Sequence, residues 1–79
     1  MLYEITEDNI YFEVEENIIN IEEDGTPLEI LNINPKDIED IRINYNVIEI
    51  FTKNSNYLIE FIEMEIANEI YNELKELLK

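Results

Sequence analysis

The chain contains no cysteine and no histidine in its 79 residues. That excludes a disulfide framework, zinc sites of the usual Cys/His kind, and thiol or imidazole catalysis. Glycine occurs once and proline twice, and no linker, internal repeat or low-complexity segment is evident. Cations are nearly as scarce, with only Lys36, Arg42, Lys53, Lys75 and Lys79. Direct nucleic-acid binding needs lysines and arginines against phosphates, and anionic membranes need a polybasic patch, so neither partner is expected. No stretch approaches the roughly 20 apolar residues of a membrane-spanning helix, and the N-terminus has no basic segment followed by an apolar run. A soluble, cytoplasmic protein is the expectation.

What the chain does have is acid. Sixteen glutamates and four aspartates give a formal net charge of -15, on a composition that is 46% hydrophobic. The apolar content is too high for a disordered acidic tail, so the chain should fold as one domain over residues 1–79. A small domain kept soluble by charge carries about 2 to 8 net charges, so the excess here exceeds that need. Such self-repulsion destabilises the compact state, which points to a functional requirement. The Ile- and Asn-rich composition suggests AT-rich coding, which would normally enrich lysine too, so the scarcity of lysine reads as avoidance.

Over the first two-thirds of the chain, apolar and polar residues alternate with period two, as in half-buried strands. Ile10, Phe12 and Val14 face one way, and a turn at Glu16-Asn17 would set Val14 against Ile19 and Phe12 against Ile21. Asp24-Gly25-Thr26-Pro27 reads as a turn and Leu28 to Ile33 as one strand. Asn34-Pro35-Lys36-Asp37 is a helix-start signal good for one turn, leading into a strand from about Glu39 to Asn44. A turn at Tyr45-Asn46 pairs Ile43 with Ile48 and Ile41 with Ile50. The loop Lys53-Asn54-Ser55-Asn56 then sets Ile50 against Ile59 and Ile48 against Phe61. From Glu63 the period becomes 3.6, with Ile66, Ile70, Leu74, Leu77 and Leu78 in one apolar stripe edged by Ala67 and Tyr71. The expected fold is α+β, mainly β: a bent antiparallel sheet or small roll of about six to seven strands closed by one C-terminal α-helix.

That order resembles the pleckstrin-homology-like fold. The resemblance rests on the run Asn34 to Ile41, the strand Tyr57-Leu58-Ile59-Glu60-Phe61, and the helix with Ala67, Ile70, Tyr71, Leu74 and Leu78. It implies a seven-stranded roll plugged by the helix. Lipid binding is not carried over with it, because Lys36, Arg42 and Lys53 cannot replace a basic loop at this net charge.

Catalysis is not expected. The one serine, Ser55, lies in a predicted turn with no His or Cys to activate it, and a carboxylate-only site needs a cleft this domain can hardly enclose. Glu22-Glu23-Asp24-Gly25-Thr26 lacks the ligand spacing of a calcium loop and reads as a polar turn, so no metal or cofactor is expected. Sharper patterns concern a partner. Glu65, Glu69 and Glu73 recur at i+4 with Glu76 near the same face, and each such step rises about 6 Å, comparable to phosphate spacing along a strand. The row is either an ordinary solvated face or a phosphate mimic. In the expected register Arg42 faces Glu49 and Glu49 faces Glu60, with Val47, Phe51 and Leu58 directed away from the inward row. These apolar residues either lie inside the second half of a roll or form an anchor with an acidic rim. Glu13, Glu15 and Glu22 of the N-terminal hairpin are the next charged surface.

In size and acidity the chain resembles phage-encoded DNA-mimic inhibitors, some anti-CRISPR proteins among them. The resemblance implies a non-catalytic inhibitor that occupies the basic surface of a nucleic-acid-binding protein or nucleoprotein. The alternative is an interaction module or homo-oligomer that uses an edge strand or the Phe51/Leu58 face.

Overall fold

A computed structural model of the protein describes residues 1–13, 19–21 and 26–79. Among these residues the strands are β1 (Leu2–Ile5), β2 (Ile10–Glu13), β3 (Ile19–Ile21), β4 (Thr26–Leu28), β5 (Ile30–Ile33), β6 (Ile38–Asn44), β7 (Val47–Thr52) and β8 (Asn56–Glu60). One 3₁₀ turn (Pro35–Asp37) precedes β6, and one helix, α1 (Met64–Leu77), follows β8. The class is α+β, mainly antiparallel β, closed by a C-terminal helix, as expected. The strands form a three-stranded sheet in the order β1-β2-β5 and a five-stranded sheet in the order β4-β3-β8-β7-β6. They do not close into a barrel.

The core lies between the two sheets and the helix. Ile10, Phe12, Leu31 and Ile33 come from the small sheet, Ile19, Ile48, Ile50 and Ile59 from the large one, and Ala67, Ile70 and Leu74 from α1. Burying each large apolar side chain contributes roughly 1.5–3 kcal/mol, so these positions supply most of the favourable term. The rings of Phe12 and Phe61 meet edge to face at 6.4 Å between centroids, joining the small sheet to the segment that enters the helix. The helix sequence puts Ala67, Ile70 and Leu74 on one face and every glutamate of the helix on the exposed remainder.

The expected one-turn helix at Pro35 is present: Asn34 caps it, its Oδ1 accepting the Lys36 N–H at 3.0 Å. The β6–β7 hairpin has the expected register, with Ile43 opposite Ile48 and Ile41 opposite Ile50. Four other expectations are corrected. The hairpin joining Phe12 to Ile21 does not form: Phe12 sits opposite Tyr3 and Leu31, while Ile21 sits opposite Thr26 and Tyr57. Period-two alternation fixes which face is buried and leaves the partner open. Val14, Glu16 and Asn17 lie outside the described residues. Next, the strand expected from Leu28 to Ile33 breaks at Glu29, where the chain passes from the large sheet to the small one. The adjacent Ile30 and Leu31 mark the change of phase, one exposed and the other buried. Thr26 and Pro27 belong to the edge strand β4 rather than to a turn; Asp24 and Gly25 lie outside the described residues.

The fourth correction is a two-residue shift of β8. Ile48 lies opposite Ile59 and Ile50 opposite Tyr57. A side chain closes the turn: Thr52 Oγ1 accepts the Ser55 N–H at 3.0 Å and donates to the Ser55 carbonyl at 2.6 Å. The connection is therefore tighter than the four-residue loop expected, bringing Phe51 directly opposite Asn56. An even shift preserves the buried face, so Ile59 is still inward.

Candidate functional site

Helix α1 begins at Met64, with Glu63 at the N-cap, and its exposed side carries Glu65, Glu69, Glu73 and Glu76. The row lies in line because successive members are four, four and three residues apart, which is one turn of helix. Glu76 is the member with a cation in reach, Lys79 Nζ at 3.9 Å. Lys75 is directed elsewhere, its ammonium 5.6 Å from the centre of the Tyr71 ring. Tyr3 of β1 flanks the row. Its phenol is held above the ordinary value of 10.0, first by burial, then by the nearby Glu73 carboxylate, and then by the charge of Glu69. The expected row is thus present on an open helix face, with a tyrosine hydroxyl at its border.

Glu49, Glu60, Phe51 and Leu58 lie on the other side of the large sheet, away from the core. Phe51, Leu58 and Glu49 are half-buried and Glu60 is exposed. The expected bridge from Arg42 to two acids is corrected. Arg42 does lie opposite Glu49, but Leu58, not Glu60, is next across the sheet, and Glu60 lies opposite Val47. The two-residue shift of β8 causes that exchange. Arg42 instead bonds Asp40 through Nε at 3.3 Å and stacks its guanidinium 5.2 Å from the centre of the Phe51 ring. The cation therefore covers part of the apolar patch it was expected to border.

Glu13 stands on the outer face of the small sheet, between Leu2 and Ile30, and accepts the Tyr11 hydroxyl at 2.8 Å. That contact, with burial and the Glu13 charge, raises the Tyr11 phenol above 10.0. Glu15 and Glu22 lie outside the described residues. The helix row and the Phe51/Leu58 patch occupy opposite sides of the large sheet, so one flat partner surface cannot cover both.

Among the described residues no three acidic side chains converge in a way that could hold a metal ion. A shallow groove of about 620 Å³ runs between β6 and the end of α1, lined by Pro35, Ile38, Ile41, Tyr71 and Leu78 with Glu39, Asp40, Lys75 and Lys79 at its sides. No helix among the described residues is long and apolar enough to cross a membrane. The sequence patterns do not mark the exposed apolar residues Leu2, Ile30, Tyr45, Ile62 and Met64. The one sequence signal among them is Tyr45, a tyrosine at a turn position that favours Asn or Gly. No family model, curated protein or solved structure matches the chain.

Proposed function

We propose that the protein is a non-catalytic acidic binder that occupies the nucleic-acid-binding surface of a basic protein, in the manner of a DNA-mimic inhibitor of the anti-CRISPR kind. The reading is carried by one observation: Glu65, Glu69 and Glu73 stand exposed in a row on a helix whose other face is fully committed to the core. On a chain of net charge -15, this rigid row presents anions at intervals of about 6 Å to any cationic groove. Complementary charge would speed encounter and set orientation.

Competition with duplex DNA tests this. A purified basic nucleic-acid-binding protein captured by the immobilised chain should be released by DNA, and Glu65→Gln/Glu69→Gln/Glu73→Gln should slow its association. A stable ternary complex with DNA would contradict the reading.

A second reading, an interaction module of pleckstrin-homology-like build or a homo-oligomer, is favoured by Leu2 and Ile30. They flank Glu13 on the small sheet's outer face and are 61% and 53% exposed. Concentration-dependent self-association lost in Leu2→Ser/Ile30→Ser would support it.

A further inference from the structure

Tyr45 occupies the first of the two turn positions between β6 and β7, with φ at 55°. Among the described residues no other non-glycine has positive φ. This region disfavours a side chain with a Cβ, and Asn tolerates it far better than a bulky aromatic does. The residues on either side, Asn44 and Asn46, are both asparagines, so the tolerated residue type is already in use one step away. Packing does not compensate, because Tyr45 is 77% exposed. Its side chain makes no hydrogen bond or ring contact with the described residues. A residue that costs the fold something and returns no contact to it is a candidate for contact with something else.

Its surroundings fit that use. The turn is fixed in place, since Phe61 N–H donates to the Asn46 carbonyl at 2.8 Å and Asn46 Nδ2 donates to the Phe61 carbonyl at 2.7 Å. Tyr45 and Ile62 therefore flank the same contact, and Met64 follows two residues on at the start of α1. Ile62 is 67% and Met64 51% exposed. Around them Glu60, Glu63 and Glu65 are exposed, and the Glu63 carboxylate makes no capping bond to the helix. Neither 43–47 nor 60–65 contains a lysine or arginine.

We propose that Tyr45, Ile62 and Met64 form a rigid apolar anchor that enters a recess edged by lysine and arginine on a basic partner protein, with Glu60, Glu63 and Glu65 meeting those cations. The inference rests on the acidic-binder reading and deepens it by naming the contact that holds the complex once charge has brought the partners together. Charge complementarity selects the occupant. A second copy brings another net charge of -15, and an anionic membrane repels the same rim. A preformed tip bearing an aromatic residue loses little freedom on docking, which suits a hot spot at the centre of an acidic ring.

The test uses the full chain and two probes of about 18 residues, five helical turns. One is a peptide with leucines on one face and lysines on the other; the second is oligolysine. Tyr45→Asn should raise the melting temperature by about 4 °C or more. It should also weaken the leucine–lysine peptide about tenfold through faster dissociation, with oligolysine unaffected. Ile62→Ser should act on binding in the same direction. Glu60→Gln/Glu63→Gln/Glu65→Gln should weaken both probes.

If Tyr45→Asn and Ile62→Ser bind the leucine–lysine peptide as the wild type does while the glutamine variant is impaired, the anchor is overturned and the charge reading stands. If the glutamine variant binds both probes normally, the acidic rim is overturned together with the anchor it surrounds, while the helix row answers to its own Glu65→Gln/Glu69→Gln/Glu73→Gln variant. A melting temperature that falls in Tyr45→Asn would show that the ring supports the fold, which overturns its assignment as a contact residue. So would a dimer in sedimentation that Tyr45→Asn dissociates, since the occupant would then be a second copy.

Discussion

Tyr3 shows how one side chain can belong to both the fold and the charged surface. Its ring stacks on Phe12 at 6.1 Å, and its hydroxyl lies beside Glu73 and Glu69 of the helix row. Burial and those carboxylates hold the phenol above 10.0, so the folded state keeps this proton more tightly than the unfolded chain does. The resulting stabilisation is fully present below pH 10 and is lost as pH rises through the folded value. Tyr3 is 38% exposed, so solvent screens the effect and it is small. Tyr11 beside Glu13 acts in the same sense. Between pH 8 and 11 the melting temperature of Tyr3→Phe should fall less than that of the wild type, by thermal melts at matched ionic strength. Parallel declines would show that the carboxylates do not influence the phenol.

At the scale of elements, α1 contributes to the fold and to the proposed function through opposite faces. Leu74 is fully buried, and Leu74→Ala should cost about 2–5 kcal/mol by denaturant unfolding. A domain of this size has only some 4 to 12 kcal/mol in total, so that change threatens folding itself. Glu65→Gln/Glu69→Gln/Glu73→Gln should instead stabilise the free protein by a few tenths of a kcal/mol, by removing like charges at i+4. A destabilised triple variant would mean that the row is held by contacts with the fold.

The same contrast explains what could be read from sequence. Helix α1 and its glutamates follow from periodicity alone, because both faces are set by one 3.6-residue repeat. The β6–β7 hairpin was legible because a two-residue turn fixes the register on both sides. The register of β8 was not, because Thr52 closes the following turn with its own side chain. Nor was the partner of β2, since Ile10 and Phe12 present the same inward face to β5 as they would to β3. Glu65, Glu69 and Glu73 were therefore identifiable in advance. Tyr45 was not, because its exposure and positive φ depend on the three-dimensional turn.

Across the whole molecule, charge and stability oppose each other. Among the described residues two acids, Asp40 and Glu76, have a cation within ion-pairing distance, and both contacts are on the surface. Most of the acids among the described residues are thus answered by solvent. Raising the ionic strength from ~0.01 M to ~0.1 M shortens the Debye length from about 30 to about 10 Å. The melting temperature should rise over that range, as differential scanning calorimetry can measure. A fall would indicate that the carboxylates hold an ion which salt displaces.

A free protein that salt stabilises and a complex that salt weakens are two consequences of one charge distribution. On the proposed reading, this charge takes the place of nucleic acid on a basic partner. The most direct test is equilibrium competition, in which labelled duplex DNA bound to the purified partner is titrated with wild-type chain and with the Glu65→Gln/Glu69→Gln/Glu73→Gln variant. Complete, mutually exclusive displacement by the wild type and a clear loss of potency in the variant are expected. Simultaneous binding of DNA and chain, or equal potency of the two proteins, would contradict that reading.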